Sequence, residues 1–245
     1  MPEPSTRATT STRHGPERPS RIVKVKAPKA TKARALSDDE IRAILAAVEG
    51  DRLAPLYSFV MATGCRLGEA LGLRWKDVDR DRGELHFTQT LGRLDGRDLW
   101  GGTKNESSDR TFPLTVGVRS ALAAQKSAQD LGMTGAPPSL LIVDGVRRGP
   151  LVFTALDGGA LSPSYVTHHF QKLLSGAGIE RLRIHDLRHA NASALRDAGV
   201  PVEEISRLLG HSSVAVTQAI YIHPFDDRKL AAASTLDHLF SDTGS

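Results

Sequence analysis

The sequence predicts an α+β domain, mostly α, with a small antiparallel β-sheet set into it. Apolar residues recur at helical spacing over most of the chain from Leu36 onward. Between Gly83 and Leu114 the period changes to alternation, the mark of short strands. A chain of 245 residues, 40% hydrophobic and 24% charged, is long enough for one large domain with an appendage or for two small ones. No apolar run approaches the roughly 18 residues needed to cross a bilayer, which argues against a membrane protein. The N-terminus lacks the apolar core of a secretory signal, and the single cysteine, Cys65, allows no internal disulfide. Both point to a cytoplasmic, reducing compartment.

Residues 1–34 contain five prolines and little that could cover a core, so they read as a flexible arm. The arm carries nine Lys/Arg against Glu3 and Glu17, whereas the remainder has 23 basic and 26 acidic residues. The basic balance of the protein therefore comes from the arm. A flexible basic segment suits a phosphate backbone, because each neutralised phosphate releases counterions; a solvated linker is the plainer reading of the same composition.

The domain begins with "LSDDEIRAILAAVE". Ser37 is the expected N-cap, acids fill the first turn, and Leu36, Ile41, Ile44, Leu45 and Val48 form one stripe. "APLYSFVMATG" reads as a second helix ending at Gly64, and "RLGEALGLRWKDVD" as a third that starts at once. "ELHFTQT", "GRDLW" and "RTFPL" read as three short strands of one sheet. A helix is expected near residues 115–131, then a loop "TGAPPSLLIVDGVRRG", a short extended run "LVF" and a helix "SPSYVTHHFQKLLSGAG". The rest reads as helical, broken at Gly199 and Gly210.

That last region, Arg183 to Pro224, holds four histidines and a tyrosine, and three kinds of site fit its composition. His185 and His189 stand at i and i+4 like two zinc ligands, but no third ligand is in view and the intervening Glu of a metalloprotease motif is missing. "VEEISRLLGHSSVAVTQAIY" has the look of a helix-turn-helix DNA reader, although Tyr221 then falls at the far end of its second helix. The third candidate is phosphoryl transfer by a hydroxyl nucleophile. Growing negative charge on a phosphodiester calls for planar guanidiniums, a histidine can assist proton transfer, and a tyrosine beside cations can attack. The sequence supplies a residue for each task.

The stretches "ATGCRLGEALGLRWKDVD", "TKNESSDRTFPL", "HDLRHANASALRDAG" and "LLGHSSVAVTQAIYIH" occur in the order and approximate spacing of the tyrosine recombinase, or phage integrase, catalytic domain. The resemblance spans roughly residues 36–240. It implies a tyrosine recombinase-like catalytic domain over 35–240, a C-terminal tail at 241–245, and phosphate-gripping roles for Arg66 and Arg188. Glu69, three residues after Arg66, would brace the site. Lys104 would protonate the leaving 5′ oxygen, His185 would assist proton transfer, His211 would donate a hydrogen bond to a non-bridging oxygen, and Tyr221 would be the nucleophile. His189 and His223 accompany the motifs without a chemical step of their own. Tyr57 and Tyr165 lack the motif setting and read as packing residues.

The implied activity is site-specific recombination of double-stranded DNA through a 3′-phosphotyrosyl intermediate, with no cofactor or metal and with homo-oligomeric assembly on DNA, to which the apolar residues of "DRKLAAASTLDHLFSDTGS" would contribute. Relaxation of the topoisomerase IB kind is the enzymatic alternative; a helix-turn-helix regulator or a catalytically idle remnant is the non-enzymatic one. Integrases generally carry a helical core-binding domain before the catalytic one, and here the expectation is that only the 34-residue arm precedes it.

Overall fold

The computed structural model describes residues 36–102, 110–133, 141–143 and 146–210, all of which fall in the unit Ala33–Ser245. The basic arm, residues 211–240 of the expected catalytic domain and the tail at 241–245 lie outside the described residues. None of the described helices is long and apolar enough to cross a membrane.

Helix α1, Asp38–Val48, starts at Ser37 with a complete capping box: Ser37 Oγ accepts from the Glu40 backbone, and the Glu40 carboxylate accepts from the Ser37 backbone at 2.8 Å. Ile44 and Val48 of its stripe are buried. Leu45 is not. It is exposed and, with Ile41, lines an apolar groove of about 560 Å³ whose other walls include Met61 and Ala121. Helix α2, Ala54–Thr63, is the central element, packed against α1, α4 (Val116–Asp130, capped by Thr115) and α6 (Ile184–Asp197). Tyr57 and Phe59 of α2 are fully buried: Tyr57 tilts on Phe170 of α5 (Pro163–Gly176) at 5.0 Å, and Phe59 on Phe153 at 5.4 Å.

The third expected helix is shorter than its apolar pattern. Helix α3 spans only Leu67–Gly72, and the chain then runs through a 3₁₀ turn, Trp75–Asp77, into β1, Val78–Asp79. Tertiary pairing wins over propensity here. The Leu73 carbonyl accepts from Val152 at 2.8 Å, the Trp75 N–H donates to Pro150 at 3.2 Å, and a Cβ on Gly72 would stand 2.9 Å from the Gln89 carbonyl.

The antiparallel β region is also more divided than expected. Strand β2, Glu84–Phe87, pairs with β1 and with β5, Arg110–Pro113, while β3, Gln89–Leu94, forms a separate hairpin with β4, Arg97–Gly102. The run "ELHFTQT" breaks at Thr88, whose hydroxyl accepts from Arg74 at 2.7 Å, beside the Arg74–Asp77 ion pair. Within the stretch expected to be a loop, β6, Leu141–Val143, and β7, Val146–Gly149, make a third antiparallel pair. Helix α6 is followed by α7, Val202–Leu209, with Gly199 and Gly210 both at positive φ as their breaker positions require. Tyr57 packs as expected; Tyr165 does not, being 50% exposed on α5, where it stacks on His169 with ring centroids 5.6 Å apart.

Candidate active site

Two helix C-termini converge on the candidate site. α2 ends at Gly64 and α7 at Gly210, with left-handed φ of 61° and 67°. Each end leaves carbonyls without a helical partner and carries the negative pole of its helix. Arginines and an amide answer them. Arg188, on α6, donates Nη1 to Gly64 O at 2.8 Å and Nη2 to Leu209 O at 2.7 Å. Asn191, one turn on, donates Nδ2 to the Met61 and Ala62 carbonyls at 3.0 and 3.2 Å. There is no room for a side chain at either end, since a Cβ on Gly64 would meet Leu209 Cδ2 at 2.6 Å and one on Gly210 would meet Arg110 Nη1 at 2.6 Å.

Arg66 is the N-cap of α3. Its backbone N–H donates to Glu69 Oε2 at 2.8 Å, its Nη1 to Glu69 Oε1 at 2.9 Å, and its Nη2 to the Gly210 carbonyl at 2.8 Å. The Glu69 side chain is 1% exposed and receives a second arginine from the opposite side. Arg110 forks onto it with Nη1 to Oε1 at 3.0 Å and Nη2 to Oε2 at 2.9 Å, and sends Nε to the Leu208 carbonyl at 2.9 Å. The C-terminus of α7 thus rests on Arg110, Arg188 and Arg66 through three successive carbonyls.

The two phosphate-gripping candidates differ in depth. Arg188 is 2% exposed, whereas the Arg66 side chain is 41% exposed at the rim. Bonds to described residues use two of the five N–H groups that each guanidinium carries. Burial, and then the like charge of Arg66, lower Arg188 to about 10, so it stays charged at neutral pH. Burial by itself would raise Glu69, but the hydrogen bonds and charge of Arg110, followed by those of Arg66, outweigh it and hold the carboxyl below its usual range. Cys65, between Gly64 and Arg66, is buried, and burial pushes its thiol up to about 12, an inert group.

His185 lies one turn before Arg188 on the exposed side of α6, its ring 4.8 Å from that of His189 and nearly perpendicular to it. Loss of hydration lowers its pKa, and the charges of His189 and Arg188 lower it further. The shift favours the neutral imidazole, against the opposing charge of Asp186. The structure therefore brings Arg66, Glu69 and Arg188 together, with His185 on the helix that carries Arg188. Lys104, His211, Tyr221 and His223 lie outside the described residues. Two contributors, Arg110 and Asn191, have no role in the sequence-based reading. Arg110 sits inside the stretch "TKNESSDRTFPL", at an inward position of β5 opposite Phe87, and a charged residue at an inward strand position is the signal that could have found it. The helix-turn-helix look of residues 202–221 has a different basis at its first helix, because α7 delivers its C-terminus to the arginines.

The model of the Phage integrase family matches residues 34–228. The chain belongs to the phage integrase family. Among its relatives in that family, the XerC-like tyrosine recombinase of Caldanaerobacter subterraneus is 32% identical over 219 residues, which cover 86% of this chain and 55% of that protein. An integrase of Streptomyces ambofaciens is 30% identical, over 77% of this chain and 49% of its own length. This integrase-family chain spans about half the length of such relatives. Its fold is that of the Tn1549 transposon integrase solved with a circular intermediate DNA, at a TM-score of 0.73 and 20% identity over 86% of this chain and 68% of that one. XerA recombinase is similar at a TM-score of 0.58 and 25% identity, over 86% of this chain and 66% of that one.

Proposed function

We propose that this chain is the catalytic part of a site-specific DNA recombinase that cuts and rejoins double-stranded DNA by transesterification. The observation that carries this reading is the pair Arg66 and Arg188, anchored on backbone carbonyls and Glu69 with guanidinium N–H groups that no described residue occupies. Such preorganised donors stabilise the charge that grows on a phosphodiester at the transition state without reorganising. In the proposed step the Tyr221 oxygen attacks phosphorus, the bond to the 5′ oxygen breaks, and the DNA 3′ end is left on Tyr221. His185, kept neutral, accepts the tyrosine proton; Lys104 donates one to the leaving 5′ oxygen; His211 donates to a non-bridging oxygen. Attack by the 5′-hydroxyl of a partner strand reverses the step and completes the exchange. The phosphodiester energy stays in the phosphotyrosyl bond, so the reaction calls for neither ATP nor a divalent ion. Copies of the chain would assemble on DNA in the cytoplasm, with the basic arm lying along phosphates. The names of the relatives, recombinases and integrases, support the same reading.

The test is incubation of the full chain with a randomised library of nicked duplexes, followed by denaturing electrophoresis and sequencing of the protein-linked strands. A covalent adduct insensitive to EDTA is expected in the wild type and is expected to vanish in Tyr221→Phe with DNA binding retained. No adduct from the wild type, or one that survives in Tyr221→Phe, overturns the proposal.

A further inference from the structure

We infer that Arg110 is a positioning residue for this reaction: it holds Glu69 in the posture that orients Arg66, and it fixes the end of α7 through the Leu208 carbonyl. The inference rests on the function proposed above. Each Glu69 oxygen accepts two hydrogen bonds, one from Arg110 and one from Arg66, so the carboxylate is a four-bond hub between β5 and α3. Arg110 is held in turn from three sides. Its guanidinium lies 4.5 Å over the Phe87 ring, its cross-strand neighbour, its Nε is bound to Leu208, and Gly210 leaves no space beyond Nη1. Arg66, by contrast, is exposed at the rim, and its hold on the site passes through Glu69 and the Gly210 carbonyl.

A buried ion pair with nothing else attached could be exchanged for an apolar pair at little cost. This one cannot, because Glu69 still has Arg66 to orient. Without Arg110, a carboxylate that is 1% exposed loses half its donors among the described residues, and the described groups left facing it are Arg66 on α3, Cys65 beside it and Arg188 from α6. Its proton affinity rises, and a protonated Glu69 releases Arg66. Cleavage should then acquire an acid limb that belongs to Glu69.

The experiment compares the full chain with Arg110→Met, Arg110→Lys and Arg110→Met/Glu69→Gln. It measures amide exchange at Arg66, whose N–H donates to Glu69, DNA affinity, and single-turnover cleavage against pH. In Arg110→Met the Arg66 amide is expected to exchange at least about tenfold faster at equal global stability. Its cleavage should slow by about 10- to 100-fold, with the acid limb raised by about one pH unit or more and DNA affinity nearly unchanged. The double variant is expected to stay slow and to lose that limb. Arg110→Lys keeps the charge without the fork, so it should return the limb towards wild type while cleavage stays about tenfold slow or more. Wild-type protection of the Arg66 amide in folded Arg110→Met overturns the inference, whether or not the protein cleaves DNA. So does wild-type cleavage by folded Arg110→Lys, which decides the matter if Arg110→Met fails to fold. Absence of cleavage by the wild type sinks the proposed reaction instead, and the amide exchange then judges Arg110's hold on Glu69 and Arg66 separately.

Discussion

The aromatic centre of the domain and the arginine cluster meet at a single ring. Phe87 is inclined steeply to Phe59, with centroids 6.5 Å apart, and also lies under the Arg110 guanidinium at 4.5 Å. On the Phe59 side the contacts are those of rings on rings, among them Tyr57 on Phe170. Such burial stabilises in proportion to area and is tolerant of replacements that keep volume. On the Arg110 side the donors meet named acceptors: Glu69, Leu208, Leu209, Gly210 and Gly64. Removing one partner there strands the others in a dry site, so the cost comes in steps and not in proportion to area. The first region sets how stable the domain is, and the second sets whether the arginines point the right way.

The largest expected effect tests that division from the apolar side. Phe59→Ala should cost about 3–5 kcal/mol of stability, read by urea unfolding, while single-turnover cleavage per folded molecule stays at the wild-type value; a specific loss of cleavage would mean that the two regions are not separable. Arg188→Ala is the converse. It should slow cleavage by at least about 100-fold and lower stability by about 1–3 kcal/mol through the unmet Gly64 and Leu209 carbonyls. Cleavage near the wild-type rate would remove Arg188 from the phosphate grip. Gly64→Ala belongs to both regions, since it forces a β-carbon at φ 61° against Leu209 and Asn191. A loss of about 1–3 kcal/mol together with slower cleavage is expected, and a thermal melt unchanged from wild type would show that the end of α2 is not locked.

The smallest effect concerns protons. The folded pKa of His185 lies below its ordinary 6.5, through loss of hydration first and the charges of His189 and Arg188 next. Between the two values the unfolded chain holds more protons, so stability is complete above about 6.5 and declines as pH falls through the folded value. His185→Asn should flatten part of that decline, while His189, lowered in the same direction, keeps the rest. Identical pH dependence in the variant would show that His185 is not held neutral by its setting.

What could be read from the sequence was local chemistry. Ser37, Gly64 and Gly210 mark helix ends by rules that need only their neighbours, and the change of period at Gly83 marks the strands. The pairing of Arg66 with Glu69 follows from their spacing on one helix turn. What failed depended on distant partners. The helix expected over "RLGEALGLRWKDVD" stops at Gly72 because Leu73 pairs with Val152, and "ELHFTQT" splits because Thr88 answers Arg74. The role of Arg110 is not legible in "TKNESSDRTFPL" because its carboxylate partner lies 41 residues away, where no spacing rule reaches. The exposure of Tyr165 is hidden for the opposite reason, since nothing near it in sequence tells that its face of α5 is open.

The bond from Arg66 to the Gly210 carbonyl joins residues 144 positions apart, and that from Arg188 to Gly64 spans 124. Closing loops of that length is slow beside helix formation, and the contacts that offset its entropy come only at the end. A chain made from its N-terminus presents Gly64 and Arg66 long before α7 leaves the ribosome. Until then Arg66 lacks the Gly210 carbonyl and Arg110 lacks the Leu208 carbonyl, whatever DNA is nearby. Under the proposed reaction, cleavage therefore becomes available only once α7 has been made and has docked on Arg66, Arg110 and Arg188.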